Sequence, residues 1–235
     1  MDLRAVKAAS RAELLACAVA AARNAQELLY DAQALAGSGS RARAYSLAVL
    51  AVEESGKAAG LACLAWLPNG MRTHAAAGRL LQWHQLKQVG GLLIAAVTFE
   101  APGVAAKLAA MPATQVTLIL RTLGESADEA DRLKRRGLYV DIGPSGQIRE
   151  PSEITEAEVT SQLARARRAT ASAGMLLDPE VQAGIARPPA EAIEFCGALA
   201  GALTQAGHTR TPEAAADVML VAIRKFQTTM ATKDA

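Results

Sequence analysis

Two alanine- and leucine-rich runs, Arg11 to Ala36 and Arg41 to Trp66, are separated only by Gly37-Ser38-Gly39-Ser40. Each run carries apolar residues at helical spacing, and a connection this short forces two such helices to lie antiparallel. Ser10-Arg11-Ala12-Glu13 marks the start of the first as a capping box, in which Ser and Glu each satisfy a backbone N–H of the other's end. Ser40 stands where a cap of the second helix belongs.

The rest of the chain reads in the same way. Ser126-Ala127-Asp128-Glu129 and Thr155-Glu156-Ala157-Glu158 match capping boxes, and Thr211-Pro212 offers a cap with proline in the first turn. A third helix is expected from Met71 to about Val97, loosened at Gly90-Gly91. A short helical piece follows between Pro102 and Pro112, and a fifth helix or broken pair covers Ala113 to Arg136, with Gly137 as its C-terminal cap. Leu138 to Ile142 alternates and precedes Gly143-Pro144-Ser145-Gly146, which predicts a small extended or hairpin excursion near 138–150. Later helices should span Thr155 to about Leu177, Pro189 to Gln205 and Pro212 to Met230.

Composition agrees with an all-α class. Apolar residues make up 51% of the 235 and aromatics only 3%, so the core must be closed by small side chains on closely approaching helices. The three cysteines, Cys17, Cys63 and Cys196, are odd in number and widely spaced, which points to buried thiols in a reducing, cytoplasmic setting. Charges near the N-terminus (Asp2, Arg4, Lys7) argue against a targeting segment, and no run suggests a membrane span. A net charge of +2 does not by itself imply nucleic-acid binding, and the basic runs at Arg41 to Arg43, Lys134 to Arg136 and Arg165 to Arg168 read as solvated helix ends.

Within the second helix, Ala51-Val52-Glu53-Glu54-Ser55-Gly56-Lys57 interrupts the apolar run with two carboxylates, a glycine and a lysine. Glu54 lies seven residues from both Leu47 and Leu61, which aims it at the core, while Glu53 and Lys57 form an i, i+4 pair. A buried carboxylate needs a cation, several donors or a proton, so the cluster is either a structural ion pair or the wall of a reactive cleft. A di-metal bundle would place Glu-x-x-His on facing helices, and the chain has none, so neither metal nor cofactor is expected. His84, between Leu80 and Lys87 on one face, is the best candidate acid or base, although a histidine beside leucines is often structural. His74 and His208 fall near helix starts or loops and are expected to be exposed. Asn24 can reach the second helix from the edge of the first helix's apolar face.

Asn24, Leu28-Leu29-Tyr30-Asp31-Ala32, Arg43-Ala44-Tyr45-Ser46-Leu47-Ala48 and Glu53-Glu54-Ser55-Gly56-Lys57, in that order, resemble the opening helix pair of AbiV-type abortive-infection proteins of the HEPN superfamily. His84-Gln85-Leu86-Lys87 is similar to the His-x-x-Lys of that family's next helix. Arg136-Gly137-Leu138-Tyr139-Val140-Asp141, followed by Pro151, resembles its Gly-Leu-Tyr-Val-Asp element. The resemblance runs from about Arg11 to Ala173. It implies a HEPN-type antiparallel bundle over 1–178; the helices over 179–235 lie outside the resemblance and are expected as a helical extension packed on the bundle or lengthening a dimer interface.

The function so implied is phage defence by a metal-independent endoribonuclease acting as a homodimer, with an Arg and a His a few residues apart at the dimer cleft. Arg79 and His84, with four residues between them, fit that pattern. In a straight helix they point about 140° apart, so they converge only if the helix begins or bends near Arg79, or if a second subunit supplies one of them. His84 is then the acid or base, Arg79 and Lys87 stabilise phosphate, and Glu54 orients the site. Asn24, Glu53, Lys57, Tyr139 and Asp141 support it. RNA is the implied substrate, and a phage-encoded activator or an antitoxin the implied regulator. The alternative is a non-catalytic module that binds RNA, a nucleotide or a phage protein.

Overall fold

The computed structural model describes residues 2–67, 71–84, 86–88, 110–139, 141–142, 145–146, 148–149, 154–185, 190–206 and 212–233. Its helices are α1 (Leu3–Ala8), α2 (Arg11–Gly37), α3 (Arg41–Trp66), α4 (His74–Gln82), α5 (Ala113–Leu138), α6 (Glu156–Gly174), α7 (Pro179–Ile185), α8 (Ala190–Gln205) and α9 (Pro212–Lys233). A 3-10 turn, Met175–Leu177, follows α6. Two short strands, β1 (Asp141–Ile142) and β2 (Ile148–Arg149), pair antiparallel with Ile142 opposite Ile148. The architecture is all-α with one small hairpin excursion, as the periodicity and the turn residues predict. No helix among the described residues is long and apolar enough to cross a membrane.

The capping boxes expected at Ser10 and Thr155 are both formed, each with the side chain taking the third residue's N–H and the glutamate returning to the cap's own N–H. The box expected at Ser126 is not a cap, because α5 runs through it without a break. Ser126 instead accepts a hydrogen bond from Arg165 of α6 at its Oγ, 2.8 Å away. Ser40 precedes α3 without a side-chain capping bond. The α2–α3 turn closes through Gly39 at φ 81°, a conformation that a side chain disfavours. Gly90-Gly91, the approach to Val97, the piece from Pro102 as far as residue 109, Val140, Gly143-Pro144, Pro151, His208 and the cap at Thr211 lie outside the described residues.

The helix expected from Met71 is shorter than its pattern. It starts at His74, capped by Thr73 Oγ1, and ends at Trp83 with φ −84° and ψ 108°. His84 and Leu86 to Gln88 are helical again. This break falls between Arg79 and His84, so the 140° separation of a straight helix does not apply to them.

α3 lies at the centre, packed against α2, α5 and α6, and nearly every residue from Ala44 to Trp66 is buried. Two apolar clusters flank the polar middle of this helix. One gathers Ala48, Val49 and Val52 with Ala130, Leu133, Ile154 and Leu163. The other joins Leu61, Leu64 and Trp66 to Leu80, Trp83 and Leu86, and also to Phe195, Leu199, Met219 and Phe226 of α8 and α9. The C-terminal helices therefore complete the same core.

Two glycines permit the closest approaches. A Cβ on Gly56 would run into the Lys87 carbonyl oxygen, so the backbone at Lys87 rests directly on α3. A Cβ on Gly137 would stand 2.6 Å from Ser46 Oγ and 2.7 Å from the Ala42 carbonyl, where α5 meets α3. Gly137 is thus a contact inside the last turn of α5 rather than the expected cap, which is Tyr139 in extended conformation. Because the obstruction at Gly56 is backbone, no rotamer relieves it. Gly56→Ala should lower stability by roughly 1–3 kcal/mol, despite alanine's better helix propensity. Urea unfolding measures this, and a neutral or stabilising result would refute the close approach.

Candidate functional site

Glu53 is the buried carboxylate of α3, with 3% of its surface exposed. The sequence spacing placed Glu54 in the core, but Glu54 and Lys57 share the less buried edge of α3 with Leu47 and Leu50. Lys57 Nζ reaches Glu54 Oε2 at 2.9 Å, so the lysine pairs with the carboxylate three residues before it. The difference has a simple origin. α3 is buried on almost every side, so its apolar pattern carries no clear rotational phase.

Among the described residues, four side chains converge on Glu53. His84 Nδ1 lies 2.7 Å from Oε2, and Lys134 Nζ, from the last turns of α5, lies 2.7 Å from Oε1. Gln88 Nε2 donates to Oε1 at 3.4 Å, and Lys87 Nζ stands 3.6 Å from Oε2. Burial raises the Glu53 pKa, but the hydrogen bonds from His84 and Lys134 and the charges of both lysines outweigh it and hold the group down at about 2. Burial, the dominant cause, pushes the Lys87 ammonium below its ordinary value, although Glu53 and Glu54 act against it. For Lys134 burial also lowers the pKa, yet hydrogen bonds to Glu53 and Asp131 overcome that effect and raise it.

An ionised carboxylate can only accept hydrogen bonds, so the His84 nitrogen facing Glu53 must carry the proton. A neutral ring then has its lone pair on Nε2. The His84 side chain is 51% exposed while that of Glu53 is 4% exposed, which leaves the far side of the ring toward solvent. The geometry is a buried anion aiming an accessible imidazole.

Lys134 also contacts Asp131 Oδ1 at 2.9 Å, and Arg135 Nη2 holds the other oxygen at 3.1 Å. Ligand atoms of Glu53, His84 and Asp131 all lie within 4.8 Å of one another, a set able to hold a metal ion. The Lys134 ammonium bonds two of those three groups. No sequence spacing announces this set, because its members come from α3, the 84–88 turn and α5.

Sequence reasoning missed Lys134, Asp131 and Gln88. Lys134 sits in a basic run read as solvated, yet it continues the buried positions Ala127 and Ala130 of α5, and that register was the available signal. Of the other expected residues, Arg79 is half-buried on α4, and Lys87 is buried with its Nζ 3.6 Å from Glu53 Oε2. Asn24 is exposed on α2, and Tyr139 is 63% exposed at the end of α5. Asp141 opens β1.

Glu53→Gln leaves two buried ammonium groups short of a counter-charge, which should cost roughly 3–5 kcal/mol at neutral pH. Since the folded pKa lies below the ordinary 4.5, the ionised group stabilises the fold above about pH 4.5. That contribution, on the order of 3 kcal/mol, is lost as pH falls from about 4.5 through about 2. Urea midpoints across this window should fall less in the Gln variant than in the parent chain; parallel falls would contradict the assignment.

The family model described as AbiV, of the HEPN group, matches residues 13–171. No curated protein and no solved structure matches the sequence. The matched span contains α3, α4, α5 and most of α6, and with them His84, Lys87, Gln88 and Lys134, the described residues that reach Glu53. The chain belongs to the AbiV family of HEPN proteins.

Proposed function

We propose that this AbiV-family protein is a phage-defence effector that cleaves RNA without a metal, as a homodimer. The observation that carries the reading is the His84 ring, tied through Nδ1 to a buried, ionised Glu53 while half its surface remains open. Cleavage by the neighbouring 2′-hydroxyl needs a base to take its proton as oxygen attacks phosphorus. It also needs an acid to protonate the departing 5′-oxygen, and positive charge for the phosphorane between. The reaction leaves a 2′,3′-cyclic phosphate and a 5′-hydroxyl.

In this reading His84 Nε2 takes or returns the proton, and Glu53 stabilises the imidazolium that forms. One imidazole can serve in only one of the two roles at a time, so a second copy of the chain across a twofold axis supplies the other. Arg79 is the cation assigned to the phosphorane. Lys87, too buried for direct contact, contributes positive potential from its place beside Glu53. A phage product that alters pairing between the copies is the regulator that fits this arrangement.

One observation favours the alternative, a non-catalytic module that binds RNA or a phage protein. The ammonium groups of Lys87 and Lys134 are both directed at Glu53, which leaves less free positive charge for a phosphate.

RNA incubated with the purified chain in EDTA should yield fragments ending in 2′,3′-cyclic phosphate. His84→Ala should slow that by at least about 100-fold; because Glu53 also loses a hydrogen bond, the melting temperature should fall, and the comparison is made at a temperature where the variant keeps the parent's helical circular dichroism. RNA that is bound but left intact would establish the binding module. Cleavage indifferent to the substitution would remove His84 from the reaction.

A further inference from the structure

Lys134 has a position that ion pairing on a helix surface does not explain. Its Nζ is inserted between Glu53 Oε1 at 2.7 Å and Asp131 Oδ1 at 2.9 Å, and the side chain is only 10% exposed. Those two carboxylates, with the imidazole of His84, bring three ligand atoms within 4.8 Å of one another. Two carboxylates and a histidine with an open side are a donor set suited to a divalent cation such as zinc. Ligand atoms around tetrahedral zinc lie about 3.4 Å apart, so closing the set takes about an ångström of side-chain movement. A cation is already seated there, supplied by the chain itself.

We propose that Lys134 is an internal cation that keeps a Glu53–His84–Asp131 zinc site closed. By neutralising both carboxylates it leaves His84 Nδ1 bonded to Glu53 and the other ring nitrogen available to solvent. Removal of its charge leaves Lys87, 3.6 Å from Glu53 Oε2, and Arg135, 3.1 Å from Asp131 Oδ2, beside the two carboxylates, but no cation in the space between Glu53 and Asp131. A divalent ion offers the same neutralisation together with direct bonds to the oxygens, and it captures the imidazole as a third ligand. The inference concerns Lys134 and its ligands alone, and it holds whether the chain cleaves RNA or only binds it.

Because Cys17 is exposed and could take zinc on its own, every chain in the test also carries Cys17→Ser. Zinc alone is titrated calorimetrically into the full-length chain with Lys134 intact, into Lys134→Gln, and into Lys134→Met, whose side chain offers the carboxylates no hydrogen bond. Each Lys134 variant should take one zinc ion per chain at least about tenfold more tightly than the form with Lys134. Adding His84→Ala to the variant should weaken that binding by at least about tenfold. A variant that loses helical circular dichroism without metal should regain it with zinc, since binding to a folded site drives folding. Equal affinity with and without Lys134, binding that His84→Ala leaves unchanged, or a variant that takes no zinc or stays unfolded in it, would each overturn the proposal.

Discussion

A carboxylate buried in the middle of the central helix imposes the main condition on this molecule. An ion the size of Glu53 costs several kcal/mol to desolvate, and only good geometry with enough donors returns that cost. The donors come from the 84–88 turn and from α5, so satisfying Glu53 ties α3 to both at once. This contact discriminates between packings more than it stabilises any one of them. A slipped register of α5, or a continuous α4 through Trp83, would bring apolar groups to the carboxylate where His84 and Lys134 now stand.

Small side chains make the arrangement possible. The α3 helix offers alanine or glycine at Ala44, Ala48, Ala51, Gly56, Ala58, Ala59, Gly60 and Ala62, so its neighbours pack close to its backbone. At Gly56 the 84–88 turn touches the helix itself, which shortens the reach from His84 to Glu53. At Gly137, α5 also comes close to α3, one turn from Lys134. Scarce aromatics and abundant alanine thus act on the chemistry as well as on the fold, by bringing two segments within hydrogen-bond range of one acid on a third.

Where the chain marks its helices with punctuation, the sequence is easily read. The capping boxes at Ser10 and Thr155 and the Gly-Ser turn place α2, α3 and α6 almost to the residue. The box at Ser126 misled because its serine serves Arg165 of another helix, and local spacing cannot distinguish a cap from a tertiary partner. The break at Trp83 was hidden for a similar reason, since the apolar pattern continues through it. At the site, identifying the Glu-Glu-Ser-Gly-Lys segment and His84 was possible from the sequence, but choosing Glu53 over Glu54 was not. A helix buried on nearly all sides gives no preferred face. Lys134 lay concealed within a basic helix end, and only its alignment with Ala127 and Ala130 showed that it turned inward.

The central claim is that Glu53 accepts a hydrogen bond from His84 Nδ1 and so directs the other nitrogen outward. Long-range proton–nitrogen NMR of the imidazole, at a pH where the ring is neutral, reports which nitrogen is protonated. The account predicts the Nδ1–H form for His84 in the intact chain, shifting toward the Nε2–H form in Glu53→Gln. An Nε2–H ring in the intact chain would contradict it.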